Sequence, residues 1–406
     1  MLSYDVIVIG AGASGCMAAI QAAKRGKKVL LLEHLDKVGK KILSTGNGKC
    51  NYTNKAQGTC YYRGTHPAFV VPVLEQFDEN RTISFFKELG IYPKEKNGYI
   101  YPYSEQASSM VEVLELALKN TGVRVCLNCE LQSIKRAEKF VLKTDQGSFQ
   151  GKSLIFATGL KAGRKAGCDG SAFPYIEQFG HRFIDVVPAL VQMKSGDSFL
   201  KNLAGIRAEI CLKLLVDGHC VFTDRGELLH IEGGLSGIVS FQASRYASYG
   251  CLKGQAVEAQ IDYFPTGSEE ELYTELSNRF YVFGQGKTIL EAMVGFFPYK
   301  LCLAWLKDLS IDHMLPAYRM TDKQLRKLTG KIKQCKVKIT GTKGFEDAQV
   351  CAGGLDTSQV NPDTMESKLV PGLFLCGELL DIDGMCGGYN LQWAWSSGYV
   401  AGSHAG

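Results

Sequence analysis

Apolar positions fall along this chain in three rhythms, and each predicts a different kind of element. Asp5-Val6-Ile7-Val8-Ile9 is an unbroken apolar run closed by glycine, the pattern of a strand buried on both faces. Gly10-Ala11-Gly12-Ala13-Ser14-Gly15 follows, and apolar residues then recur at helical spacing from Cys16 to Arg25. Lys28-Val29-Leu30-Leu31-Leu32 is a second buried run with Glu33 at its end. Similar runs ending in small-residue turns occupy Lys152 to Gly159 and Pro371 to Glu378. From Ala208 to Phe264 the rhythm shortens to alternating runs broken by turn signals such as Asp217-Gly218, which suggests a small barrel or sandwich. After Pro265 it lengthens again. Ser268-Glu269-Glu270-Glu271 and Thr321-Asp322-Lys323-Gln324 read as capped helix starts, and Leu325, Leu328 and Ile332 share one side of the last helix. Thr288 to Phe297 and Lys300 to Leu306 read as further helices, and Lys336 to Thr340 as a strand returning to the first domain. Leu391 to Gly402 predicts a final helix.

Composition adds bounds. The 406 residues carry 46 Lys+Arg against 41 Asp+Glu, a net +5 too diffuse to define a nucleic-acid face. No run of apolar residues is long enough for a membrane span. The start, Met1-Leu2-Ser3-Tyr4-Asp5, lacks a basic signal-peptide region, and the 14 cysteines are scattered, so a reducing cytoplasm with free thiols is expected. Glycine, at 45 residues, is enriched, and it marks where backbone approaches a ligand.

The first glycine cluster carries the chemistry. Strand, GxGxxG, helix, strand and acid are complete within one short unit. Gly10 permits the tight turn, Gly12 admits a pyrophosphate to the backbone, and Gly15 allows close helix packing. Ala13 and Ser14 open the helix whose free N–H groups face phosphate, and Glu33 is placed to accept from an adenosine ribose. An acid there disfavours a 2′-phosphate. Ala157-Thr158-Gly159 and Gly377-Glu378 end strands like those that close the FAD site of two-dinucleotide-domain flavoproteins, and Glu378 resembles the acid that binds the ribitol in them. Asp383-Gly384-Met385-Cys386-Gly387-Gly388-Tyr389-Asn390 leads into the last helix, whose positive end can face a flavin pyrimidine ring. No second GxGxxG offers a stable NAD site: Gly159, Gly163, Gly167 and Gly170 have the wrong spacing.

These segments resemble the HI0933/YhiN-type family of bacterial NAD(P)/FAD-dependent oxidoreductases, which includes aminoacetone-oxidase-like and bile-acid-pathway flavoproteins. The resemblance rests on Gly39 to Asn51, Thr364 to Lys368, Gly377 to Asp383, Gly387 to Gln392 and Ser396-Ser397-Gly398. It implies non-covalent FAD and an α/β fold: a two-part Rossmann-like FAD-binding domain (1–190 and 336–406) with an inserted β-rich, barrel-like domain (191–264) and a small helical domain (265–335). It further implies that Gly46, Asn47, Gly48, Cys50 and Asn51 lie along the cofactor. In the same way Asp383, Gly387, Gly388, Tyr389, Asn390 and Leu391 meet or adjoin the flavin, and Lys40, Lys41 and Lys49, otherwise read as solvated surface, help neutralise the pyrophosphate. Lys49 departs from the usual Arg, Leu160 from a glycine, and Glu232 to Gly237 from an aromatic-glycine pattern. These departures bear on substrate rather than on FAD.

The expected activity is hydride exchange between flavin N5 and a small organic substrate bound where the domains meet. NAD(P)H as a transient donor would support reduction of an activated C=C or C=O bond. The alternatives are an oxygen-using amine-type oxidase producing hydrogen peroxide, and a flavoprotein that binds or modifies RNA. Cys386 and Tyr389 are the candidate catalytic groups, beside the bland reading that both only pack. Arg326, Lys327, Lys331, Lys333, Lys336 and Lys338 form the one basic face open to an anionic partner, but no aromatics interleave it, and nucleic acid is not expected. No metal site is expected from the histidines. Gly284-Gln285-Gly286-Lys287-Thr288 lacks the upstream glycine of a phosphate loop. Cys126 and Cys129, read within one strand from Val123 to Ile134, would point to opposite faces and form no redox pair.

Overall fold

The computed structural model describes residues 2–163 and 166–406. Its contacts separate two compact units, Met1–Val187 with Ala348–Gly406, and Pro188–Asp347.

In the first unit, Leu2–Ile9 pairs in parallel with Val29–Leu32 on one side and Gly147–Phe156 on the other. Arg124–Cys126 extends the sheet beyond Val29–Leu32. Gly147–Phe156 is long enough to serve two partners. Its first half pairs antiparallel with Phe140–Thr144, and its last residues, Leu154 to Phe156, pair in parallel with Leu373–Leu375. Val6, Ile7, Val8, Leu30, Leu31, Leu154 and Ile155 are all buried, as a sheet covered on both faces requires. The N-terminal helix Ala13–Lys24 and the C-terminal helix Tyr389–His404 pack against each other through small residues. A Cβ on Gly398 would sit 2.3 Å from the Ser14 carbonyl oxygen, and one on Gly402 2.3 Å from that of Ala18. The two backbones therefore touch, and the last helix fixes the position of the first.

The second unit is built on an antiparallel sheet in the order Cys335–Ile339, Val257–Asp262, Arg207–Val216, His219–Ile231, Gly234–Ser236, Met193–Lys194, Gly341–Thr342. Two sequence expectations are corrected here. The strand expected to return to the first domain instead pairs with Val257–Asp262, Val337 lying opposite Ala259. The β-rich and helical segments also share one core: Leu212, Ile261 and Tyr263 from the sheet cluster with Trp305, Leu325, Leu328 and Ile332 from the helices. The insertion is thus one unit with its boundary near Asp347. The capping boxes at Ser268 and Thr321 are present, whereas the helix expected from Thr288 to Phe297 is only Ile289–Ala292.

Three lysines of the expected basic face have acidic partners. Lys331 pairs with Asp308 at 2.7 Å, Lys333 with Asp262 at 2.7 Å, and Lys336, which lies on the strand, with Glu258 at 3.6 Å. These charges are engaged within the unit.

Each unit buries one histidine whose protonation is opposed by desolvation. His181 and His230 are both held below the ordinary imidazole pKa by burial. Their stabilising contribution is therefore present above the unfolded value of ~6.5 and lost as pH falls below it. Urea unfolding at pH 7.5 and 5.0 is expected to show lower stability at the acidic value. His230→Asn, with its neighbour Tyr263 retained, should shrink that difference.

Candidate functional site

A cleft opens at the C-terminal ends of the parallel strands in the first unit, where ligands bind in open α/β sheets. Gly10, Gly12, Ala13, Ser14, Glu33, Lys41, Ala157, Thr158, Gly159, Glu378, Asn390 and Leu391 all line it. Gly10 has φ +98°, and a Cβ there would lie 2.6 Å from the Ala157 carbonyl oxygen. A Cβ on Gly12 would meet nothing within 4 Å, so the backbone is bare toward the cleft. The helix Ala13–Lys24 begins there with no side-chain cap and no acidic residue in its first turn. Its N–H groups and positive dipole end are thus left for an anion.

Glu33 is held at the lip of the cleft and is only 8% exposed. Its carboxylate accepts from the Ala11 N–H at 2.7 Å and the Leu35 N–H at 3.0 Å, and each oxygen keeps a further lone pair. Opposite, the Lys41 ammonium forms a close ion pair with Glu378, whose other oxygen accepts from the Cys351 N–H at 2.9 Å. Burial works against the Lys41 charge. The Glu378 carboxylate, with the nearby Cys168 and Cys351 thiols, outweighs that and holds Lys41 well above the usual lysine range.

A second focus joins the loop after Thr45 to the turn before the C-terminal helix. Gly46, Asn47, Gly48 and Cys50 have φ of 56°, 54°, 82° and 56°, a concentration of left-handed backbone that marks strained functional loops. The Asn54 amide donates to the Gly387 carbonyl at 2.9 Å. Gly388, at φ +93°, could not carry a side chain: a Cβ would lie 2.7 Å from the Thr53 carbonyl oxygen. The Asn390 side chain closes the turn by accepting from the Gly384 N–H at 2.8 Å and donating to its carbonyl at 2.9 Å. Asn51 Oδ1 is buried without a hydrogen-bond partner and would sit 2.9 Å from a Cβ on Gly388. An orphan acceptor beside an uncapped helix N-terminus fits a ring with one N–H and flanking carbonyl oxygens, as in the flavin pyrimidine.

Several expected residues stand outside the cleft. Gly15 and Gly377 shape it from behind, a Cβ on Gly377 meeting Ser14 Oγ at 2.4 Å. Cys50 is wholly buried, its thiol pushed up to about 12 by desolvation. Asp383 is 1% exposed and pairs by backbone with Arg63. Cys386 is half-buried. Tyr389 stacks on Tyr61 with ring centroids 4.5 Å apart.

Other residues were missed. Ala166 to Ala172, Tyr175, Cys129 and Trp393 also line the cleft. The available signal was the glycine series 159, 163, 167 and 170, all left-handed. It fails as a second dinucleotide fingerprint, yet Gly167 and Gly170 wall this one.

Fold and cleft together define a Rossmann-type FAD-binding protein with an inserted second unit. Residues 4–404 match the HI0933-like protein Rossmann domain, and the chain belongs to that family. It is 40% identical over 405 residues to the 3-dehydro-bile acid delta(4,6)-reductase of Clostridium scindens, covering 98% of each chain. It is 32% identical over 404 residues to the ribosomal RNA dihydrouridine synthase of Haemophilus influenzae, covering 97% of this chain and 96% of the relative. The Escherichia coli protein of the same name is 28% identical over 407 residues, covering 98% and 97%. The chain is an FAD-dependent oxidoreductase. Among the described residues, no helix is long and apolar enough to cross a membrane.

Proposed function

We propose that this protein reduces a carbon–carbon double bond conjugated to a carbonyl, in a polycyclic 3-oxo substrate, with electrons from NAD(P)H. The full-length 40% identity to the bile-acid reductase carries this reading. FAD, when bound, would supply the hydride chemistry for such a reduction. The chain's residues then have three tasks. The helix Ala13–Lys24, Glu33 and Lys41 hold the dinucleotide, while Asn51 and the Gly387-Gly388 turn orient the ring. A proton must also reach the α-carbon. Tyr389 is the candidate donor: burial and the neighbouring Tyr61 and Tyr99 hold its hydroxyl far above the ordinary tyrosine pKa, so it stays protonated.

Tyr389→Phe is expected to slow enone reduction about 10²-fold, with flavin content unchanged. An unaltered rate removes Tyr389 from the chemistry.

A second reading follows from the dihydrouridine synthases, because the uracil C5=C6 bond is also conjugated to a carbonyl. One scheme serves both substrates. This reading rests on those relatives.

The deciding experiment is anaerobic. The purified protein is expected to show a flavin spectrum, to bleach with NADH or NADPH, and to regain colour with a 3-oxo-4-ene steroid. Recovery with uridine-containing RNA alone favours the second reading. Flavin that resists both nicotinamides but is bleached by amines, with peroxide formed on re-oxidation, replaces the proposal with the oxidase alternative.

A further inference from the structure

The cysteine pair set aside in the sequence is brought together by the fold. The expected single strand is two: Arg124–Cys126 ends, and Leu131–Arg136 begins after a loop. Asn128 within that loop has φ +50°, which breaks the strict alternation that would have set the two thiols on opposite faces. They lie in side-chain contact. Gln146 staples the loop, its oxygen accepting from the Cys126 thiol at 3.1 Å and its amide donating to the Leu127 and Asn128 carbonyls at 2.8 Å each.

The pair also separates two recesses. Cys126 is half-buried and lines an outer hollow with Arg124, Gln146 and Ser148. Cys129 is buried and lines the cofactor cleft. Between them, the backbone grips the ribose acid: the Glu33 N–H donates to the Cys126 carbonyl at 2.9 Å, and the Cys129 N–H to the Glu33 carbonyl at 2.9 Å.

We propose that Cys126 and Cys129 form a thiol–disulfide exchange site that takes small carboxylate-bearing disulfides at the outer hollow and, once oxidised, loosens FAD in the cleft. The exchange stands on the cysteine geometry alone, whereas its effect on FAD rests on the functional reading above.

Cys126 is the entry thiol, since it faces the hollow where the Arg124 guanidinium can meet a carboxylate. Its thiolate attacks one sulfur of the incoming disulfide, forming a mixed disulfide and releasing the first small thiol. Cys129 then attacks Cys126 Sγ and releases the second. Two protein thiols are oxidised, one small disulfide is reduced to two thiols, and the two protein protons pass to the leaving thiolates. Burial pushes the Cys129 thiol up to about 11, which suits a resolving group shielded from direct attack. Closing the bond shortens the loop that carries both backbone contacts to Glu33, and so shifts the acid.

The test treats the FAD-loaded protein with oxidised glutathione. Peptide mass is expected to show the loss of two hydrogens across Cys126 and Cys129. The FAD dissociation constant should rise roughly tenfold, about the worth of one charge-assisted hydrogen bond, and return with dithiothreitol. Cys126→Ser should abolish both changes, and being half-buried it is a mild substitution. Arg124→Gln should slow oxidation by glutathione disulfide but not by neutral hydroxyethyl disulfide. A mixed disulfide that persists on Cys126, no disulfide at all, or equal FAD affinity in the two states overturns the proposal. A reduced protein that never takes up FAD overturns the functional reading instead, and mass still decides whether the exchange occurs.

Discussion

Gly398→Leu is expected to cost the protein about 3 kcal/mol of stability and most of its bound flavin. The position is far from any ligand in sequence terms, yet its missing side chain lets the C-terminal helix rest on the N-terminal one. A Cβ there would stand 2.3 Å from the Ser14 carbonyl oxygen, and backbone cannot move aside as a flexible side chain can. Overpacking at such contacts typically costs 1–3 kcal/mol, and a leucine against main chain lies near the upper end. Ser14 is in the first turn that lines the cleft, so the wedge also tilts the phosphate-binding N-terminus. Gly12→Ala provides the contrast. Its backbone, at φ −77°, accepts alanine, and the new methyl meets no protein atom within 4 Å. It should leave the urea midpoint of the flavin-free protein unchanged while weakening FAD roughly tenfold or more. If Gly398→Leu retains wild-type stability, the helix contact does not bear on the cleft as described.

The difference between these glycines shows what sequence reveals. The strand–GxGxxG–helix unit was legible because each residue type meets a local need: apolar runs for a covered sheet, glycine for the turn, and an acid at the end of the next strand. The role of Gly398 was visible only as part of a family resemblance, because its partner, Ser14, is nearly the whole chain away. The fate of residues 336–340 was misread for a related reason. Alternating Lys336-Val337-Lys338-Ile339 announces a strand but not its neighbour, and pairing with Val257–Asp262 depends on a core assembled from two segments of different pattern. The cysteines show the same limit at short range. A strict period of two put Cys126 and Cys129 on opposite faces, and one left-handed asparagine between them reversed the result. Asn128 belongs to the residue types that tolerate this conformation, so the break was possible in sequence but not required by it.

Within the cleft, Lys41 and Glu378 are expected to behave alike in stability and unlike in cofactor binding. The two side chains are 24% and 19% exposed, so their ion pair is largely shielded. Removing one partner strands the other charge. Lys41→Met and Glu378→Gln should each cost about 2 kcal/mol in flavin-free protein, less than the 3–5 kcal/mol of a fully buried pair. The double variant should recover most of that loss, because neither charge is then left alone. Lys41 carries its charge well above neutral pH, so the cycle should read the same from pH 6 to 9. FAD breaks the symmetry. Its pyrophosphate brings negative charge to a cleft lined by Lys37, Lys40 and Lys41 and by the carboxylates of Glu33, Glu130, Asp169 and Glu378. Lys41→Met removes the cation paired with Glu378 and leaves that carboxylate to repel the phosphates, so FAD affinity should fall about 100-fold. Glu378→Gln gives up a carboxylate acceptor but frees the Lys41 ammonium for the phosphates, and the fall should be about tenfold or less. Fluorescence titration of FAD against each variant reads the difference, and only the weakening in Lys41→Met should shrink as salt is raised. Equal losses in the two single variants would show that Lys41 serves Glu378 alone and not the cofactor.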